Sequence, residues 1–131
     1  MPLDGSKSSL RGAKFAACIA NQSNSSIIGL NIISSTRFVK PSSALRNQTR
    51  LKSKEIIKQA ETITKKNNVS FRGMIKVSNN IGKTIVSFAE DNAIDMIAIG
   101  SRGPDLEHEL FLGSVANYVV IKSKIPVTII K

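Results

Sequence analysis

Apolar residues in this chain gather into short β-branched runs that alternate with stretches of helical spacing. Such alternation marks βαβ units feeding a parallel sheet. A strand is expected over residues 25–33, centred on Ile27, Ile28, Leu30, Ile32 and Ile33, and a second, less apolar and so nearer a sheet edge, over 69–77. Residues 95–100 include the run Met96-Ile97-Ala98-Ile99, which needs burial on both faces and therefore a central position. Residues 126–130 open on a proline that cannot donate to a ladder, which suits a strand start or an edge.

Four helices fill the intervals. Over 8–21, Leu10, Ala13, Ala17 and Ala20 form one stripe with Ala16 beside it, small enough for close approach to a sheet. Cys18, just off the stripe, reads as a small packing residue. Over 43–66, Leu45, Ile56, Ala60 and Ile63 point inward, with Pro41 and the adjacent serines at the first turn. The third helix, 81–91, repeats Ile81, Ile85, Phe88 and Ala89 and stops at Asn92; the fourth, 113–122, buries Val115, Ala116, Val119 and Val120. Lys122 and Lys124 mark the negative end of its dipole. Before the first helix stands only Met1-Pro2-Leu3, short of the usual five or six residues of a strand, followed by the turn Asp4-Gly5-Ser6. A truncated central strand is expected, with neighbours left short of ladder partners where dimerisation or a longer N-terminus would cover them.

The 131 residues suit one domain spanning 1–131, with 41% apolar and 21% charged residues. No run is long enough for a membrane span and no signal-peptide layout opens the chain, so a cytoplasmic location without membrane insertion is expected. Single Cys18 and single His108 offer neither an internal disulfide nor a zinc cluster, so no metal site is expected from the protein alone. The net charge of +10 is uneven: residues 1–67 hold 12 basic and 3 acidic side chains, residues 68–131 hold 7 and 6. Arg37, Lys40, Arg46, Arg50, Lys52, Lys54, Lys58, Lys65 and Lys66 face only Glu55 and Glu61 across 37–66. A solvated helix face accounts for this pattern, and a weak surface for nucleic acid or an acidic protein is the alternative.

Candidate chemistry lies between the third clear strand and the last helix. Two residues separate Gly100 from Gly103 and nine separate Gly103 from Gly113, which is followed by Ser114. Phosphate oxygens need several backbone N–H donors close together, and glycines let the main chain approach while taking unusual φ/ψ values. A helix beginning at Gly113 adds free amides and a positive dipole end. Ser114 adds a hydroxyl for a phosphate oxygen or a bound magnesium, and Arg102 a cation for outer phosphates.

Gly-x2-Gly-x9-Gly-Ser, with its flanks 95–103 and 112–116, the closing 124–130 and the opening Pro2-Leu3-Asp4-Gly5-Ser6, resembles the universal stress protein family over nearly the whole chain. The resemblance implies a three-layer α/β/α, Rossmann-like fold of the adenine nucleotide alpha hydrolase-like type. Counting residues 1–3 as the first strand, its five-stranded parallel sheet runs in the order 3-2-1-4-5. A nucleotide lies at the carboxyl ends of strands one and four, in agreement with the switch-point rule. By position, Asp4 contacts the ribose, Pro2 and Leu3 wall the base, and Ile32 offers its backbone to the adenine edge. Gly100, Ser101, Arg102, Gly103, Gly113, Ser114 and Val115 surround ribose and phosphates. ATP or AMP is the implied ligand, with magnesium near Ser114 as the accompanying ion, and the resemblance also implies a homodimer through the last strand.

Asp105, Glu107 and Glu109 depart from this scheme by placing negative charge in the intervening loop. The chain lacks Gly-x4-Gly-Lys-Ser/Thr, His108 reads as an exposed loop residue, and Asp4 with Ser6 makes no triad, so no catalytic residue is assigned. The expected function is a nucleotide-dependent switch or interaction module in stress response. The alternatives are a nucleotide-independent protein or nucleic-acid binder acting through the basic 37–66 surface, and a slow ATP hydrolase.

Overall fold

The turn at residues 4–6 launches the first helix. Gly5 takes φ +84°, a left-handed conformation open to glycine. Ser6 then accepts the Ser9 amide on its hydroxyl at 3.1 Å and caps α1 (Lys7–Gln22). The computed structural model describes residues 1–35, 43–103 and 111–131. After α1 come β1 (Ile27–Ser34), α2 (Ser43–Lys66), β2 (Phe71–Ser78), α3 (Ile81–Asp91), β3 (Ile97–Gly100), α4 (Ser114–Lys122) and β4 (Val127–Ile130). The ends differ from the expected ones by at most two residues. Arg37, Lys40 and Pro41 lie outside the described residues.

Two helices cover each side of the strands. Ala16, Ala17 and Ala20 of α1 pack on Ile27, Val69 and Ala98, and Ala13 joins Leu3 with Ile56 and Ala60 of α2. On the opposite side Ile85, Phe88 and Ala89 of α3 and Ala116 and Val119 of α4 close over Leu30, Ile97 and Ile99. β3 is buried along Ile97, Ala98 and Ile99, as its continuous apolar run requires, whereas β2, paired among the described residues with β1 alone, is mostly exposed.

Some expected core positions are exposed. Leu45 is 47% exposed because the 24 residues of α2 outrun the eight-residue strand beneath it: about 36 Å of helix against about 26 Å of strand. Val120 is 43% exposed, one step past Val119 on the short α4, and Cys18 likewise turns to solvent beside the buried Ala17. The basic residues described in α2, from Arg46 to Lys66, all face outward.

The sheet departs from the expected continuous ladder. β1 pairs with β2 in parallel from Ile27↔Phe71 to Ser34↔Ser78, and β3 with β4 from Ile97↔Val127 to Gly100↔Ile130, giving two separate pairs. Residues 1–3 lie along the free edge of β1. The Met1 amine donates to the Ile28 carbonyl, the Leu30 amide to Met1 and the Leu3 amide to Leu30, each at 2.8 Å. Met1 and Leu3 thus turn their polar groups to β1, and Pro2, bridged to Leu30, is the residue whose backbone faces β3. Proline has no N–H to donate. Among the described residues no backbone hydrogen bond joins this segment to β3, so the order 3-2-1-4-5 is interrupted between its first and fourth strands.

The buried Met1 amine is a titrating group in the fold. Desolvation lowers its pKa from 8.0 to about 5. Between those values the unfolded chain binds the proton and the folded chain does not, so stability rises with pH from about 5 to 8. Three units correspond to an upper bound of about 4 kcal/mol. Urea unfolding across this window should show that rise, and acetylating the N-terminus should flatten it; an identical slope in the acetylated protein would exclude Met1 as its source.

Candidate functional site

At the carboxyl ends of β1 and β3 a cleft of about 180 Å³ opens between residues 2–4, the start of α3 and the start of α4. Its floor is built around Ser101. The Ser101 amide donates to Ile130 at 2.7 Å and its carbonyl accepts the Gly113 amide at 2.9 Å, so one buried residue ties β4 and the foot of α4 to the end of β3. The neighbouring Arg102 carbonyl accepts the Ser8 hydroxyl at 2.7 Å, fastening the same loop to the first turn of α1.

The glycines act by space rather than by conformation. A Cβ on Gly100 would come within 3.0 Å of the Ser8 and Ser9 backbone, so glycine is what admits α1 against the end of β3. Gly113 has φ −59° and ψ 152°, and neither Gly100 nor Gly103 takes a positive φ, contrary to the expectation of unusual backbone angles. A Cβ on Gly113 would find only ordinary contacts, the nearest 3.5 Å from Arg102 Cα.

The donors are fewer than the glycine spacing implies. Amides of Ser101 and Gly113 are occupied by the bonds that shape the loop. Gly113, as N-cap, brings no side chain to the helix start, and the first α4 bond runs from Asn117 to Gly113 at 2.9 Å. The amides of Ser114, Val115 and Ala116 therefore stand without an acceptor among the described residues, at the positive end of the α4 dipole. The Asp4 carboxylate accepts the Ser6 amide at 2.9 Å on one oxygen and turns the other toward Gly103.

The opposite end of the cleft is apolar, walled by Pro2, Leu3, Leu30, Ile32, Ile81 and Ile85. One backbone detail sets its polarity. The Asn31 side chain donates to the Leu3 carbonyl at 2.7 Å and so occupies the acceptor that Ile32 would meet in a continuing ladder. The Ile32 N–H and C=O face past the end of residues 1–3 with no backbone partner among the described residues.

All the residues singled out from sequence line this cleft: Pro2, Leu3, Asp4 and Ile32 from one side, Gly100, Ser101, Arg102, Gly103, Gly113, Ser114 and Val115 from the other. Sequence reasoning missed Ser9, Leu30, Ile81, Ile85, Ile99 and Ala116. Ile81 and Ile85 carried a signal, since their spacing puts both on one helix face, but that signal also fits plain core. Asp105, Glu107, His108 and Glu109 lie outside the described residues. Among the described residues no three His, Cys, Asp or Glu side chains come together as a metal site.

A Rossmann-like α/β protein with its cleft at the strand ends is the class this geometry defines. The model of the universal stress protein family matches residues 1–131, and the chain belongs to that family. A universal stress protein of Methanocaldococcus jannaschii is 28% identical over 138 residues, covering 100% of this chain and 79% of its own. Among solved structures, a universal stress protein from Archaeoglobus fulgidus superposes with TM-score 0.78 at 24% identity, covering 98% of this chain and 92% of that one. The Archaeoglobus fulgidus protein in complex with dAMP gives TM-score 0.74 at 24% identity, covering 98% and 91%. A universal stress protein in complex with cAMP gives 0.75 at 24% identity, covering 99% and 92%.

The contrasting demands on two glycines make a direct test. Gly100→Ala should cost about 1–3 kcal/mol, since backbone atoms of α1 must shift. Gly12→Ala, where a Cβ would meet nothing within 4 Å inside a helix, should gain about 0.5–1 kcal/mol. Thermal unfolding of the two variants checks both signs.

Proposed function

We propose that this protein binds the adenylate of ATP or AMP in the cleft and acts as a nucleotide-dependent switch or interaction module in stress response. What carries the proposal is the pairing of an apolar slot with an uncapped helix start across one cleft, which suits a flat base joined to phosphate. The dAMP and cAMP complexes of related proteins agree with it. In this arrangement Ile32 offers an N–H and a C=O to the hydrogen-bonding edge of adenine, while Pro2, Leu3, Ile81 and Ile85 wall its faces. Asp4 meets the ribose. The amides of Gly103, Ser114, Val115 and Ala116 meet the phosphates, with Ser101 and Arg102 alongside and Gly100 keeping α1 close. The Ser114 hydroxyl is the group that would touch a phosphate oxygen or a magnesium ion carried in by a polyphosphate.

The same proposal includes a single cytoplasmic domain in which residues 1–3 stand as the first strand of the order 3-2-1-4-5. It also includes a homodimer through β4, a half-buried outer strand beside the exposed Val120 and Ile121; a monomeric mass by sedimentation would remove this element. Hydrolysis, with no base assigned, is slow at most. A second function is favoured by one observation, the wholly outward basic face of α2. RNA binding that weakens with salt and ignores nucleotide would support it.

Ser114→Pro tests the phosphate end without breaking the helix. Proline is accepted at the first helical position, and Gly113 already has the extended backbone a residue before proline prefers. It removes one amide and one hydroxyl. Calorimetric titration with AMP and with ATP plus magnesium should show affinity reduced roughly tenfold to a hundredfold, as expected for losing hydrogen bonds to a charged group. The melting temperature should stay near that of the parent. Unchanged heats would take α4 out of the site.

A further inference from the structure

Asn31 interrupts the apolar run Ile27-Ile28-Gly29-Leu30-Asn31-Ile32-Ile33 of β1, and it is buried, only 5% exposed. Leu30 packs toward α3 and α4, so by alternation Asn31 rises on the face that α1 and α2 cover, where Leu3, Ala13, Ile56 and Ala60 form an apolar cluster. Half of its amide is used. The nitrogen donates to the Leu3 carbonyl at 2.7 Å, and because a carbonyl can only accept, the side-chain oxygen turns away from it. That oxygen is buried and meets no donor among the described residues. A polar atom in this state works against stability, and a leucine would suit the same face of the strand. Stability of the fold does not account for asparagine here.

Its effect on the next residue does. The ladder between β1 and residues 1–3 runs from the Leu30 amide to Met1 and from the Leu3 amide to Leu30, so the next rung would run from the Ile32 amide to the Leu3 carbonyl. Among the described residues that rung is not made, and the Asn31 amide stands at its acceptor. Gly5 then turns the chain with φ +84°, and its amide makes no bond to the Ile32 carbonyl. Ile32 therefore lines the cleft with a donor and an acceptor side by side.

We propose that Asn31 is a positioning residue for base selection: by holding the Leu3 carbonyl it withholds the last rung of the ladder and keeps the Ile32 N–H for the base. The inference rests on the reading that the apolar end of the cleft takes a purine nucleotide. A donor beside an acceptor complements the adenine edge, whose N1 accepts and whose 6-amino group donates. It opposes the hypoxanthine edge, where N1 carries a hydrogen and position 6 an oxygen. Asn31 thus favours a 6-aminopurine without touching it, and leaves one buried oxygen unsatisfied in doing so.

The test compares the full chain with Asn31→Leu, which keeps the branching of the side chain and removes both polar atoms. Without nucleotide, the Ile32 amide should exchange its hydrogen about tenfold more slowly in the variant, because the rung to Leu3 closes. The melting temperature should not fall. Calorimetric titration with AMP and with inosine monophosphate, which differ only at that edge, should give the parent about a tenfold preference for AMP and the variant almost none. Should the leucine variant fail to fold, Asn31→Val, smaller and suited to a strand, takes its place. Unchanged Ile32 exchange in the folded variant would overturn the proposal, as would an AMP preference equal to the parent's. So would a lower melting temperature with AMP and inosine monophosphate weakened alike, the mark of a purely structural residue. A parent that binds neither nucleotide removes the reading of the cleft itself, whereas a parent that prefers AMP beside a variant that does so equally removes this inference alone.

Discussion

Ser101 is the joint on which the cleft depends. Its amide holds the last residue of β4 and its carbonyl holds the amide of Gly113, so the foot of α4 is fixed to the end of a buried strand by a bond of 2.9 Å. Each such bond contributes about 1 kcal/mol net, but a buried group left unpaired costs about 1–3 kcal/mol. That asymmetry matters at a residue only 5% exposed, because neither of its backbone groups can turn to water instead. The consequence is directional. With Gly113 anchored by its own amide, the next three amides of α4 are left as the open end of the helix, aimed at the cleft rather than at the loop.

The first turn of α1 completes the joint from the other side. Ser6 caps the helix and Ser8 takes the Arg102 carbonyl, which requires the helix backbone to lie almost against Gly100. A side chain at position 100 would separate the two elements and loosen the loop at Arg102. The glycine in the strand end and the serines in the helix start are therefore one device, although 91 residues of sequence separate Gly100 from Ser8.

That separation explains what could and could not be read from sequence. Element types were legible because Ile97, Ala98 and Ile99 form a run buried on both faces while Ala13, Ala16, Ala17 and Ala20 recur at helical spacing. The site was legible because glycine spacing is a local signal, and Pro2 to Asp4 could be added only through family resemblance. The reason for Gly100 was not legible, since the atoms that demand it belong to Ser8 and Ser9. Nor was the apolar wall at Ile81 and Ile85: residues that face a cleft and residues that face a core obey the same periodicity. Leu45 misled for a different reason. Periodicity reports which face of a helix is apolar, not how far the strand beneath extends.

Residues 1–3 set the apolar end of the cleft. With Met1 and Leu3 engaged by β1 and proline facing β3, the segment is held along one edge only, so its position rests on three backbone bonds and the packing of Leu3. Asn31 adds a fourth tie by taking the Leu3 carbonyl, and the same contact leaves Ile32 without its ladder partner. The polar groups at the apolar end of the cleft are thus available because the strand stops at Leu3. Pro2, Leu3 and Asp4 are walls of the cleft, so the bonds that hold residues 1–3 along β1 also set the position of that wall.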